Sequence, residues 1–247
     1  MEEFIRLMRE DDALDADLTD LGMEQARKCH RDHFVAEETT SCNPLGIDLV
    51  VASSLSRTID TANLVFPSFS ASFTDGIESL PPRRICVDKF REVNGNLLNA
   101  KRRTKSELVA RNPNWSFDSL KTEEDDSWTP EMERFEDAAE RGYQGLVELL
   151  NGEAYPDSAS NENEINTILL VCHGGILRYL MNIHPLVHLA DERSKSDDES
   201  AAKSVESRFD NCELRKYRLS WKDDIADSDN NRGDESRRAI VLTQLDH

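Results

Sequence analysis

The sequence predicts a three-layer α/β fold with helices on both faces of a mostly parallel central sheet. Two near-continuous apolar runs, Leu49–Ser53 and Thr167–Cys172, have the pattern of strands buried on both faces. Each passes at once into a segment of helical spacing, the order expected of βα units. At 247 residues the chain suits one large α/β domain, and no linker divides it.

The elements follow in chain order. Met1–Asp12 reads as a helix with Phe4, Ile5, Leu7 and Met8 on one side. Thr19 is an N-cap for a second helix whose Leu21, Ala26 and Cys29 turn inward. After the Leu49 strand, Leu55, Ile59, Ala62 and Phe66 repeat at helical spacing. Ile85–Val87 is a further short strand. Thr129–Leu150 is a long helix carrying Met132, Phe135, Ala139, Leu146 and Leu150 near a 3.6-residue period. The Thr167–Cys172 strand, expected to be fully buried, breaks at His173-Gly174-Gly175 into a helix over Ile176–Ile183. Glu213–Trp221 and Ala239–Leu245 form an antiparallel pair. Three stretches, near residues 152–163, 191–207 and 222–238, are rich in Asp, Glu, Ser and Asn and read as solvated loop insertions.

Composition removes whole classes of function. Forty-nine acidic against 30 basic side chains give a net charge of −19, which repels nucleic acid and anionic lipid. No apolar run is long enough to span a bilayer, and no apolar segment follows Met1 as a signal peptide. Five cysteines, an odd number without Cys-x-x-Cys spacing, suit reduced thiols in a cytoplasmic or other reducing compartment.

Three strand ends carry candidate chemistry. His173-Gly174-Gly175 opens a helix, so free N–H groups and an imidazole face one spot, a ready anion site; the plain alternative is a satisfied turn histidine. Ser53-Ser54-Leu55-Ser56-Arg57 follows the Leu49 strand, and Arg57 can fork onto two phosphate oxygens; alternatively it is a surface arginine. Arg91-Glu92, after the Ile85 strand, offers a carboxylate as general acid. The Lys101–Lys105 cluster is the densest positive patch and includes Arg102, though most such runs are only solvated.

In order, the motifs are Leu18-Thr19-x-x-Gly22, Ser54-Leu55-x-Arg57-Thr58-x-x-Thr61-Ala62, Arg91-Glu92-x-x-Gly95 and His173-Gly174-Gly175-x-Leu177-Arg178. Together they resemble the histidine phosphatase superfamily, the phosphoglycerate mutase-like proteins. Lys101-Arg102, the acidic Glu123–Trp128 segment and Asn211–Arg215 resemble its eukaryotic branch. The resemblance implies phosphomonoester hydrolysis through a phosphohistidine. Arg57 and His173 would bind the phosphoryl oxygens beside Ser54, Gly174 and Arg102, and Glu92 would protonate the leaving alcohol. It implies a phosphorylated small molecule or phosphoprotein as substrate, with no metal and no cofactor.

The sequence departs from that pattern at one place. The family's nucleophilic histidine stands in an Arg-His-Gly motif after the first strand, and this tripeptide is absent. The first strand is therefore expected to be missing. The chain is expected to be an incomplete copy beginning at an internal methionine, inactive as written, with a genuine catalytically dead relative as the alternative. Three rivals remain: a phosphate-binding module without turnover, a cysteine phosphatase built on Cys172-x5-Arg178, and a metal site on His184 and His188. The last is weakened by Pro185, which interrupts the helix face that such spacing needs.

Overall fold

The computed structural model describes residues 2–35, 43–68, 72–74, 77–79, 81–155, 165–191, 208–222 and 238–245. The bulk of the three expected insertions, residues 156–163, 192–207 and 223–237, lies outside them.

The chain opens with a short helix, α1 (Glu2–Leu7), and a 3-10 turn over Asp11–Ala13, where one longer helix was expected. Helix α2 (Asp20–Phe34) begins at Thr19, whose Oγ1 accepts the Gly22 N–H at 3.1 Å. Strand β1 (Leu49–Ala52) is buried along its whole length and runs into α3 (Ser56–Val65). A hairpin of β2 (Ser72–Thr74) and β3 (Ile77–Ser79), absent from the sequence reading, precedes β4 (Arg83–Cys86). Helix α4 (Lys105–Arg111) has a capping box, with Thr104 and Glu107 each accepting the other's backbone N–H.

Helix α5 (Phe135–Leu150) starts six residues later than its apolar period suggests. The reason lies in Pro130 and in Gly95, at φ +85°, which sits so close to the 129–131 segment that a Cβ would lie 1.9 Å from the Glu131 carbonyl oxygen. Residues 129–131 are thus held as a wrap around that glycine. Strand β5 (Ile168–Val171) leads into α6 (Gly174–Ile183), followed by β6 (Val187–Asp191), β7 (Tyr217–Trp221) and β8 (Ile240–Gln244).

The sheet is parallel, as the apolar runs predicted, and has the order β4-β1-β5. Alternation along β1 assigns the two cores. Val50 and Ala52 pack with α2 and α3 residues such as Ala26, Ile59 and Ala62; Leu49 and Val51 pack with α5 and α6 residues such as Leu146, Leu149 and Leu180. This sandwich is the expected three-layer arrangement.

Two expectations need correction. The late strands β7 and β8 are the expected antiparallel pair, but they belong to a separate sheet, ordered β6-β8-β7, in which β6 runs parallel to β8. And β5 is not fully buried: Leu169 is, but Ile168, Leu170 and Val171 are only half-buried. The cause is the same in both cases. β5 pairs with β1 on one side and with no strand among the described residues on the other, so the parallel sheet stops there.

Candidate functional site

The carboxyl ends of β1 and β5, with the segment that follows β4, converge on one crevice, where ligands of open α/β sheets bind. Arg57 in the first turn of α3, Glu92, and His173 at the N-cap of α6 all line one cavity of about 690 Å³, together with Asp17, Thr19 and Gly174. Three motifs far apart in the chain are thereby brought together.

His173 is 8% exposed, and its Nε2 lies 2.7 Å from Ser53 Oγ. Ser53 Oγ in turn lies 2.7 Å from Thr58 Oγ1, which donates to the Leu55 carbonyl at 2.7 Å. One imidazole nitrogen is therefore tied to a buried hydroxyl relay that sets the ring's orientation. Burial pushes the imidazole pKa well below its usual range, and the positive charges of Arg57, Arg141 and Arg91 push the same way. The ring is neutral at pH 7.

Arg57 donates from Nη1 to the Asn99 carbonyl at 2.6 Å, which aims the guanidinium across the crevice. Burial lowers its pKa, while Asp15 and Glu92 oppose that shift. Asp15 is fully buried at φ +43° and accepts the Ser56 N–H and hydroxyl, both at 2.8 Å. This clamp fixes the start of α3 and so the origin of the Arg57 side chain.

Glu92 occupies the end of α6. Its carboxylate accepts the Ile176 N–H at 3.0 Å and the Gly175 N–H at 3.3 Å. Two of the N–H groups expected to form a free anion site on that helix are thus taken by the protein's own carboxylate, while Gly174 lines the cavity beside them. Gly175 must be glycine for this arrangement, since a Cβ there would lie 2.2 Å from Glu92 Oε1.

Two other predicted residues are committed elsewhere. Ser54 is buried and donates to Asp88, away from the crevice; its neighbour Ser53, which the sequence reading passed over, touches His173 instead. Arg102 does not line the cavity. Its guanidinium donates to the carbonyls of Thr122, Arg103, Glu123 and Glu124 at 2.6–3.0 Å, stapling the acidic 122–124 segment. Arg91 is buried as well, paired with Asp125 at 2.5 Å. No signal in sequence separates these arginines from Arg57, because all three sit in polar stretches that follow a short strand.

The rival sites lose their geometry. Burial pushes the Cys172 thiol up to about 12, so it carries no thiolate at neutral pH, and Arg178 is exposed on α6 and does not line the cavity. His184 takes Glu140 on Nε2 at 2.9 Å and the Leu186 N–H on Nδ1 at 3.2 Å, while His188 lies on β6. Both ring nitrogens of His184 are thus engaged. Among the described residues no group of three or more His, Cys, Asp or Glu side chains is placed to hold a metal.

A neutral imidazole and a guanidinium lining one cavity, at the carboxyl ends of parallel strands, define an α/β protein with a polar crevice at one edge of its sheet. The family model described as "Histidine phosphatase superfamily (branch 1)" matches residues 8–194, and the chain belongs to that superfamily.

Solved structures with detectable likeness include a mycobacterial glucosyl-3-phosphoglycerate phosphatase, at 22% identity over 68% of this chain and 66% of that one, TM-score 0.35. A Bombix mori ecdysone phosphate phosphatase matches at 15% identity over 68% of this chain and 56% of that one, TM-score 0.42. A putative α-ribazole-5'-P phosphatase from Escherichia coli matches at 22% identity over 66% and 64%, TM-score 0.35. The chain thus spans just under two thirds of the length of the mycobacterial enzyme. Among curated proteins none matches. No helix of the described residues is long and apolar enough to cross a membrane.

Proposed function

We propose that this chain is a phosphomonoester-phosphatase scaffold whose crevice binds a phosphoryl group between Arg57 and His173, with Glu92 facing the leaving oxygen. The single observation behind this reading is that Arg57, Glu92 and His173 line one cavity and that the Arg57 charge bears on the His173 imidazole. A fixed guanidinium and one imidazole N–H supply the donors that a phosphoryl group needs. The substrate class is a phosphorylated small molecule or phosphoprotein, and an Arg91–Gly95 segment unlike that of the cofactor-dependent mutases supports hydrolysis over mutase activity. Residues 1–247 act as one domain in this reading.

The 247 residues as written hold the phosphoryl group without turning it over. Phosphohistidine chemistry needs a nucleophilic imidazole beside the binding one. Among the described residues no second imidazole lines the cavity with His173: His30 bonds the Val65 carbonyl, His33 lines a different cavity, and His184 pairs with Glu140.

Phosphate titration followed by calorimetry, with an aryl phosphate assay on the same chain, tests both parts. Saturable phosphate binding is expected, weakened about tenfold or more by Arg57→Ala, which removes a charge-assisted contact of about 1.5–3 kcal/mol. No hydrolysis above background is expected. Absence of phosphate binding refutes the crevice assignment, and robust turnover that vanishes on His173→Ala refutes the inactivity.

A further inference from the structure

A second cavity of about 690 Å³ lies against the one that Arg57, Glu92 and His173 line, and the two share a wall. Gln25 and Cys29, one turn apart on α2, line both cavities. So do residues 211–214, from the segment that leads into β7. The wall therefore holds one cysteine from each side, Cys29 from the helix and Cys212 from the loop.

Packing keeps these two side chains near each other. Cys212 packs against the core that contains Cys29, Ala26 and Val65. Burial pushes the Cys29 thiol up to about 11, and Cys212 adds to that rise, as a second ionisable thiol close by must. Burial raises the Cys212 thiol as well. The charged neighbours are Lys28, Asp32 and His33 on α2, with Glu213 and Lys216 beside Cys212. Both sulfurs are therefore protonated thiols at neutral pH, and each stays unreacted until an oxidant reaches it.

The two cysteines differ in the freedom of their backbone. Cys29 is buried within a 15-residue helix. Cys212 is half-buried in a turn closed by the Glu213 N–H on the Asp210 carbonyl at 3.2 Å, with Asp210, Asn211 and Glu213 exposed around it. Its φ of +57° is one that a residue with a Cβ rarely adopts. The turn thus presents the Cys212 side chain to the wall at a cost in backbone energy. An exposed turn also adjusts to the geometry of a disulfide more readily than a helix does. The other described cysteines are placed differently: Cys86 lines neither cavity, and Cys172 lines only the one with Arg57.

We propose that Cys29 and Cys212 are a redox pair: a small-molecule disulfide such as glutathione disulfide closes them into a cross-link that ties the 210–213 turn to α2 across the shared wall. Cys212 Sγ, once ionised, attacks one sulfur of glutathione disulfide; that S–S bond breaks, and one glutathione leaves as thiolate. Cys29 Sγ, its proton passing to solvent, then attacks Cys212 Sγ in the mixed disulfide and expels the second glutathione. Two protein thiols are oxidised, one glutathione disulfide is reduced to two glutathiones, and the two protons pass through solvent from the protein to the leaving thiolates.

The test uses the 247-residue chain, reduced, freed of reductant and held with glutathione disulfide at mildly alkaline pH. Remaining thiols are blocked with N-ethylmaleimide, and the chain is digested without reduction for peptide mass mapping. The expected result is a loss of two free thiols and a single cross-linked species joining the Cys29 and Cys212 peptides, reversed by dithiothreitol. Cys29→Ser should stall the reaction as a glutathione adduct on Cys212. Cys212→Ser should leave Cys29 a free thiol, because it is buried. Linking residues so far apart in sequence constrains the unfolded chain, so the oxidised form should unfold at a urea midpoint about 1 M or more higher.

Four results would overturn the proposal. They are full retention of free thiols, a glutathione adduct on Cys212 that never closes in the wild-type chain, a cross-link joining any other pair (Cys42, outside the described residues, included), and a urea midpoint unchanged or lowered by oxidation. The wild-type map decides the matter even where a serine variant fails to fold. Phosphate plays no part in these readouts, so failure here leaves the phosphoryl reading standing.

Discussion

Gly174 and Gly175 stand side by side in the first turn of α6, and the structure assigns them opposite responses to the same substitution. A Cβ at Gly174 meets nothing within 4 Å. Gly174→Ala therefore gains about 0.5–1 kcal/mol from the lower chain entropy of alanine in a helix. A Cβ at Gly175 would lie 2.2 Å from Glu92 Oε1 and 2.8 Å from its Cδ, so the carboxylate must leave the helix end. The bonds lost are those from the Ile176 N–H at 3.0 Å and the Gly175 N–H at 3.3 Å. Hydrogen bonds to a charged group contribute about 1.5–3 kcal/mol each. The second is long and the cavity admits water, so the loss is about 2–3 kcal/mol for the pair. Subtracting the gain from alanine leaves Gly175→Ala destabilised by about 1–2 kcal/mol. The two variants then differ by about 2–3 kcal/mol, and their urea midpoints by about 1 M for a slope near 2–3 kcal/mol/M. Unfolding followed by tryptophan fluorescence reads this directly. Midpoints within about 0.3 M of each other, well inside that separation, would refute the placement of Glu92 on the α6 terminus.

Three further outcomes follow from the same geometry. The folded-state pKa of His173 is depressed, so its contribution is fully present above the unfolded value near 6.5 and is lost as pH falls toward the folded value. A slope of at most about 1.4 kcal/mol per pH unit below that point should appear in the wild-type chain, and His173→Gln should remove it. Arg91 and Asp125 form a buried pair whose side chains are each 1% exposed. Arg91→Ala should cost about 3 kcal/mol, the low end for a broken buried pair, because Asp125 retains the backbone N–H groups of Arg102, Ser127 and Trp128; a loss under about 1 kcal/mol in denaturant titration would contradict this. Ser53→Ala should free His173 Nε2 and weaken phosphate binding about fivefold, for the loss of about 1 kcal/mol of ring positioning, with a changed imidazole 15N shift as the signature.

Much of the scaffold was legible because burial writes itself into short apolar runs. β1 and β5 are bounded by polar residues on both sides, and the helices after them repeat apolar side chains at helical spacing, so βα order could be read directly. Thr19 was readable as a cap since its hydroxyl acts within three residues. The misses have local causes too. Thr104-x-x-Glu107 is a complete capping box, but it adjoins the Lys101–Lys105 charge cluster, and α4 was lost behind that charge. β6 starts two residues after Pro185 and has only five residues, too few to establish a period. The truncated start of α5 depends on Gly95, about 35 residues away, and no local pattern encodes a contact of that range.

The site divides along the same line. Arg57, Glu92 and His173 could be placed because each follows a strand at its carboxyl end, and parallel strands bring such ends together whatever lies between them. What a side chain does on arrival depends on neighbours that the spacing does not reveal. Ser53 and Ser54 are chemically identical and adjacent, yet alternation sends one hydroxyl to His173 and the other to Asp88. Arg102 and Arg103 differ in the same way: the first closes on four backbone carbonyls, the second reaches Asp15, Asp17 and Ser56. The half-burial of β5 is the most instructive case. A strand's apolar composition reports the environment its sequence is suited to, and a partner on each edge would complete that environment. Where the fold leaves one edge open among the described residues, composition and exposure disagree, and that disagreement marks the unpaired edge of β5.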